Sequence, residues 1–391
     1  MPWKENNLMT LRREFVVFAQ QPDANISALC RHYSISRKTG YKWLNRGVEA
    51  VAERSRRPHH SPLRTAGQMQ EQILKAREAH PDWGARKLKR WLEDRGVQEL
   101  PAPSTITAIL QRHGRISPEA SAAATPWQRF EHPHPNALWQ MDFKGHFALA
   151  QGRCHALTVL DDHSRFSVLL AACANEQTET VRQRLIIAFR RYGLPERMIT
   201  DNGSPWGDGP GNPFTPLGVW LIEQGIKISH SRPYHPQTMG KDERFHRSLK
   251  AEVLSGPPFA DLAAAERAFD RWRDVYNTQR PHEALELAVP ASRYQPSPRD
   301  YVETVAPFEY APDDVVRRVQ QGGHVSFLGR SVKVPKAFRG KAAAFRPTAH
   351  DGVFDVVFRT QKIATIDIRP LDRKPKSVHD VSEHLSTLSP V

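Results

Sequence analysis

RPYHPQTMGKDERFHRSLK, residues 232–250, is the stretch whose reading decides the fold. Pro233, Pro236 and Gly240 punctuate a polar run and turn the chain. A helix follows. Phe245, Leu249 and Val253 recur at four-residue steps and form a stripe that a core must cover. Glu243 lies on roughly the opposite, wet face, with Arg247 and Lys250 above it at four- and seven-residue spacing. Such a helix either carries ordinary surface ion pairs or holds a metal ion with a first-turn carboxylate beside a phosphate. Asp242 projects about 100° from Glu243 on a helix, so the two are not expected to share one ion.

Upstream, the pattern from Ala137 is that of strands. Residues 138–149 mix apolar and polar positions, Gly152-Arg153 turns the chain, and 154–160 and 166–172 make two further strands. A helix over 176–192 buries Val181, Leu185, Ala188 and Phe189. A short strand, 197–200, ends at Asp201-Asn202-Gly203, and a Gly/Pro-rich loop fills 204–216. A helix at 217–224, a strand at 226–229, the opening helix and a last helix at 262–277 complete an α/β layer pattern.

Three carboxylates fall where this pattern can gather them. Asp142 is midway along the first strand, Asp201 is at the carboxyl end of a later one, and Glu243 begins the decisive helix. Open α/β sheets place ligands at carboxyl ends of strands. Carboxylate oxygens without His or Cys suit magnesium or manganese. Two such ions about 4 Å apart activate an oxygen nucleophile and stabilise the leaving oxygen of a phosphodiester. Asp161 and Asp162 are read as residues of the turn DDHSR (161–165), and His235 and His246 as hydrogen-bonding partners of substrate or backbone.

A chain of 391 residues exceeds one ordinary domain, and 39% hydrophobic residues suffice for real cores. No apolar run reaches the length of a membrane span, and no signal segment opens the chain. Cys30, Cys154 and Cys173 are scattered, which excludes a disulfide framework or a cysteine-bound zinc site and points to a reducing cytoplasm. The net charge of +14 calls for a polyanionic partner. Residues 1–130 hold 22 Lys and Arg against 12 Asp and Glu, whereas residues 131–300 hold 20 of each. Basic flanks around a carboxylate-bearing centre suit an enzyme acting on nucleic acid.

The basic excess has structure. After a helix at 8–21, residues 25–47 read as two short helices about a turn at Ser34–Ser36. Tyr41 and Leu44 face inward, and Arg37, Lys38 and Lys42 outward. This is a helix-turn-helix offering cations to a major groove. Residues 53–66 form an extended basic linker with Arg54, Arg56 and Arg57. A second helical group spans 67–115, with helices at 67–79, 84–95 and 104–113, and reads as a second DNA-binding unit with Arg86 and Lys87 as expected contacts. Leu88, Trp91 and Leu92 face inward, Arg86, Lys87, Lys89 and Arg90 largely outward, and Ser104 is the expected N-cap. Residues 116–136 are linker. Beyond the core come a linker at 296–312, a small all-β module at 313–370, expected to be barrel-like, and a tail at 371–391.

The segments LWQMDF (138–143), ITDNGSPW (199–206) and RPYHPQTMGKDERFHRSLK (232–250) resemble the catalytic core shared by retroviral integrases and bacterial insertion-sequence transposases. YNTQRPHEAL (276–285), with Pro290 and Tyr294, resembles the segment that closes that core in the transposases. SRKTGYKWL (36–44) resembles the helix-turn-helix of the 481 group of insertion sequences. The resemblance covers residues 137–295 and implies a ribonuclease-H-like core with Asp142, Asp201 and Glu243 as catalytic, metal-holding triad. It implies a transposase that uses two Mg²⁺ ions, with Mn²⁺ substituting. Such an enzyme hydrolyses the phosphodiester at a transposon end and joins the freed 3′-OH to target DNA. Double-stranded DNA and a homo-oligomer on that DNA are the partners implied. Lys241, Arg244, Arg247 and Lys250 are the expected DNA contacts of the core. The 41 residues between Asp201 and Glu243 exceed the commonest spacing of the family, and the loop around Gly207–Pro213 accounts for the excess. The rival readings are a DNA-binding regulator that keeps only its helix-turn-helix, and a nuclease that cuts without joining.

Overall fold

The computed structural model describes residues 8–53, 64–116, 131–207, 212–231 and 240–372. Arg54, Arg56 and Arg57, residues 232–239 and the tail expected from 371 (from 373 onward) lie outside them. The chain divides into two compact units at Thr65.

The first unit packs α1 (Leu8–Ala19), α2 (Ile26–His32) and α3 (Arg37–Leu44) around Phe15, Val16, Cys30 and Trp43. Asn25 and Ser36 cap α2 and α3 by accepting from the Ala28 and Thr39 amides, both at 3.1 Å. Gly40 is required where α3 crosses α2, because a Cβ there would stand 2.4 Å from Cys30 Sγ. Gly40 and Trp43 therefore face the core, while Tyr41, expected inward, is 41% exposed. The cations of Arg12, Lys42 and Arg46 lie 4.2–5.0 Å from the Trp43 ring centroid.

The second unit begins with α4 (Gly67–Ala79), α5 (Ala85–Glu93) and α6 (Pro103–Arg112), which bury Ile73, Trp83, Leu88, Ile106 and Leu110. Pro103 occupies the first turn of α6, so Ala102, not Ser104, precedes the helix and no side chain caps it. Val275 packs on this helical core, and Arg95 donates to Gln279 Oε1 at 2.9 Å. The helical group is thus fixed to the α/β core.

That core is a five-stranded sheet in the order β3-β2-β1-β4-β5. β1 (Trp139–Ala148), β2 (Arg153–Asp161) and β3 (Ser167–Cys173) form an antiparallel meander, and β4 (Arg197–Thr200) and β5 (Lys227–His230) run parallel to β1. This is the ribonuclease-H-like order. α7 (Thr178–Tyr192) and α8 (Pro216–Glu223) cover one face through Leu185, Phe189 and Leu217. α9 (Gly240–Leu249) and α10 (Leu262–Thr278) cover the other through Phe245, Leu249, Phe269 and Tyr276. Alternation on β2 serves both: Leu157 and Val159 face α7, Ala156 and Leu160 face α10.

The closing segment is tied polar atom by polar atom. Asn277 donates to Ser167 O and accepts from Ser167 N, and Tyr294 stacks on Phe166 at 4.1 Å. The attachment outlasts the expected boundary at 295: Leu194 N donates to Arg299 O at 2.7 Å, and Arg299 donates to Pro195 and Gly225 carbonyls. Gly193, at φ +74°, lets the strap pass, since a Cβ there would lie 2.6 Å from Ser297 O. The all-β module follows as β6 (Val315–Arg318), β9 (Ala342–Pro347), β10 (Val353–Phe358) and β11 (Gln361–Asp367) in one sheet, and β7 (His324–Phe327) with β8 (Arg330–Lys333) in a hairpin. Phe327 stacks on Phe345 at 4.4 Å to close a common interior. Among the described residues no helix is long and apolar enough to cross a membrane.

Candidate active site at the β1–β4 junction

β1 pairs with β4 only at Trp139↔Met198 and Gln140↔Ile199. Past that point the two strands part, and Asp142 and Asp201 stand where they do. Asp142 is half-buried on β1, opposite Thr158 of β2. Burial first, and then the charge of Asp201, push its carboxyl up to about 7. Asp201 is exposed just beyond β4 and accepts from Gly203 N at 3.0 Å. His230 on β5 bonds the Asp201 carbonyl at 2.8 Å and Thr200 Oγ1 at 3.2 Å, which fixes the end of β4.

The first turn of α9 supplies two more acids, on different faces. Glu243 is exposed, on the wet face as expected. Asp242 is wholly buried and turned toward the sheet. The ligand atoms of Asp142, Asp242 and His246 lie within 4.8 Å of one another. Thr158 Oγ1 lies 3.2 Å from Asp242 Oδ1 and 2.8 Å from His246 Nε2, and His246 Nδ1 is 4.0 Å from Asp142. Burial, Asp142 and Glu243 push the Asp242 carboxyl well up, while burial holds His246 down to about 3 and neutral.

The sequence reading set Asp242 aside and missed this cluster. The signal was present: Asp242 lies three residues before Phe245, and His246 lies four after Asp242, on the side of the stripe that meets the sheet. Lys241, four before Phe245 and expected as a DNA contact, shares that side and is paired within the chain. Its ammonium is held by the buried carboxylate of Asp162 and donates to the Asp162 carbonyl at 3.2 Å. Asp162 also accepts from Gln140 Nε2 at 2.8 Å, and Gln140 Oε1 accepts from Asp242 N at 3.3 Å. Asp161 accepts from Asn136 N and Ser164, as a turn residue does. The DDHSR turn is therefore a buried strut that positions the start of α9.

The remaining expected contacts separate by exposure. Arg37, Lys38 and Lys42 on α3, Arg86 on α5, and Arg244, Arg247 and Lys250 are exposed. Lys87 is not: it is half-buried, and burial with the charges of Arg280 and Arg244 holds it down to about 7. The donor set of Asp142, Asp201 and the α9 acids is dominated by carboxylates that repel one another, which fits a hard divalent cation.

Sequence comparison assigns residues 132–236 and 224–290 to integrase core domains, 314–373 to the C-terminal domain of IS481 family transposases, and 39–110 to a homeodomain-like domain. An insertion element IS407 protein of 31.7 kDa from Burkholderia multivorans is 30% identical over 40% of this chain and 54% of its own length. An insertion element IS476 protein of 39.2 kDa from Xanthomonas euvesicatoria is 31% identical over 40% of this chain and 44% of its own. The chain thus spans about half the length of these curated relatives. The HTLV-2 integrase catalytic core solved with magnesium aligns with 41% of this chain and 97% of its own at 17% identity and a TM-score of 0.33. In its core and its C-terminal domain, the chain is similar to IS481-type insertion-sequence transposases built on an integrase core.

Proposed function

We propose that the chain is a DNA transposase acting by metal-dependent phosphodiester hydrolysis and transesterification. The observation that carries the reading is the pair Asp142 and Asp201, held where β1 and β4 diverge, with the Asp142 carboxyl raised by burial and then by its neighbour's charge. Asp142, Asp201 and Glu243 would hold two divalent ions, Mg²⁺ or Mn²⁺, which supply electrophilic activation of the phosphodiester and of the attacking oxygen. Thr158 Oγ1 donates to the Asp142 carbonyl at 2.9 Å from behind, beside Asp242 and His246. Glu243 faces the open side, where a DNA backbone can approach.

In the first step water attacks the phosphorus at a transposon end, and the departing oxygen leaves as a 3′-OH. In the second that 3′-OH attacks a target phosphodiester in line, and one strand of the target is released from the same phosphorus. Arg37, Lys38 and Lys42 with the basic residues Arg54, Arg56 and Arg57 would grip the terminal repeats. Arg244, Arg247 and Lys250 would line the path to the site. Joining two ends calls for a multimer on DNA.

The test incubates labelled DNA from the flanks of the gene with a plasmid, in Mg²⁺ or Mn²⁺, using wild type beside Glu243→Gln. Joined product from wild type alone is the expected result. Cleavage without joining would turn the reading into that of a nuclease. Binding without any chemistry would turn it into that of a regulator.

A further inference from the structure

The all-β module is fastened to the catalytic core. Its interior and the α7–α8 face of the sheet form one continuous apolar cluster, which holds Leu217 and Ile222 together with Phe338, Phe345 and Phe358. Three contacts make the join. Phe338, at the end of the short helical turn Lys336–Phe338 and wholly buried, meets Phe214 edge to face at 5.1 Å. Lys341 pairs with Glu223 of α8. Gln361 Oε1 accepts from Ile228 N of the edge strand β5 at 3.3 Å.

The join lies at the far end of the segment that begins with Asp201. From Asp201 the chain folds into a tight turn. The amides of Trp206 and Gly207 both donate to Gly203 O at 2.9 Å, and a Cβ on Gly207 would stand 2.7 Å from Asn202 O. Trp206 is 4% exposed and stacks at 5.7 Å on Phe143, the residue after Asp142 on β1. Thr215 holds the turn from the other side. Its hydroxyl donates to Pro205 O at 2.9 Å, and its neighbour Phe214 is the ring that Phe338 covers. Contact thus runs from Phe358 through Phe338, Phe214 and Thr215 to Pro205, Trp206 and Phe143, and ends beside both aspartates. A close-packed interior is little compressible, so a shift at one end of such a chain is felt at the other.

We propose that the C-terminal β-module is a buttress of the catalytic centre, with Phe338 and Thr215 as positioning residues. They hold the Asp201 turn against Phe143 and so fix how Asp142 and Asp201 face each other. The inference rests on the metal-dependent reading above and gives the module a part within its own chain, separate from any contact with DNA. Truncating Phe338 to alanine leaves the Phe214 ring room to shift, and the turn with it.

The test uses the full chain at a temperature where circular dichroism shows every variant folded. It reads Mn²⁺ affinity from the free-ion signal in electron paramagnetic resonance. It also reads the cleavage rate at saturating duplex carrying the gene's flanking sequence, with the duplex Kd taken from anisotropy. Phe338→Ala and Thr215→Val are expected to weaken Mn²⁺ binding about tenfold or more. They should slow cleavage by about ten- to a hundredfold and leave the duplex Kd unchanged. Phe327→Ala opens a cavity in the same module, where the ring meets Phe345 and Phe354. It is expected to lower the thermal midpoint without moving Mn²⁺ affinity or cleavage rate. If Phe338→Ala does not fold, Phe338→Leu replaces it. Wild-type Mn²⁺ affinity and cleavage rate in the Phe338 variant, or equal losses in Phe327→Ala, overturn the buttress and leave the metal-dependent reading standing. If the wild type binds Mn²⁺ without cleaving, the Mn²⁺ affinities alone decide. A wild type that neither binds Mn²⁺ nor cleaves overturns both.

Discussion

Asp162→Ala tests the strut beneath α9. The substitution removes a carboxylate that is 3% exposed and serves three donors: the Lys241 ammonium, Gln140 Nε2 at 2.8 Å and His132 N at 2.9 Å. The Lys241 side chain is 16% exposed and is left facing Arg165, with Glu131 as the remaining compensating charge. Removing one partner of a buried pair costs about 3–5 kcal/mol, and each orphaned neutral donor about 1 kcal/mol more. Lys241 is near enough to solvent to recover part of this, so a loss of about 3–4 kcal/mol is expected. Lys241→Met leaves Asp162 its two N–H donors and should cost about 1–2 kcal/mol. The double variant Asp162→Ala/Lys241→Met should lose less than the sum, with a coupling of at least about 1.5 kcal/mol. Urea unfolding of the metal-free protein, followed by tryptophan fluorescence, measures all four corners of the cycle. Additive losses, or Asp162→Ala within about 0.5 kcal/mol of wild type, would refute the strut.

Three further outcomes can be checked. Asp142→Asn should leave the thermal midpoint in EDTA unchanged or raised, because it relieves the repulsion from Asp201, and should abolish the rise that Mg²⁺ or Mn²⁺ gives the wild type; an undiminished metal-dependent rise would count against Asp142 as a ligand. Lys87 is held at about 7 when folded against 10.5 ordinarily. Between those values the unfolded chain binds a proton that the folded one has released, so this group's contribution to stability grows as pH rises through that window. Lys87→Met should flatten the dependence of the unfolding midpoint between about pH 7 and 9, and an unchanged dependence would argue against it. Asn277→Ala strips both backbone groups of Ser167 of their partner and should cost about 2–3 kcal/mol by urea unfolding; a loss under about 0.5 kcal/mol would mean that Asn277 does not close the core.

Period and punctuation carried most of the architecture. Strand alternation from Trp139, the stripe Phe245–Leu249 and the amphipathic α10 each needed only one covered face, and each lies where the residues put it. β6 is not legible in the sequence, since in Val315–Arg318 no residue is buried and the strand leaves no alternating signature. The site was legible as positions and less so as directions. That Asp142 sits on a strand and Asp201 at a strand end follows from local pattern. Which acid of Asp242-Glu243 turns inward depends on the side from which the sheet meets α9, a tertiary fact. The same holds for Lys87, whose α5 face looks outward until α10 and Arg280 are packed beside it.

The short ladder between β1 and β4 makes length, rather than composition, the sensitive variable at this junction. Two residue pairs hold β4 in register with β1, and Asp201 follows it directly. Deleting or inserting one residue within Arg197–Thr200 would displace Asp201 by about 3.3 Å and turn its side chain to the opposite face of the sheet. The loop beyond Gly203 has no such arithmetic to satisfy. Gain and loss of residues among related sequences should therefore collect after that glycine and spare the five positions before Asn202.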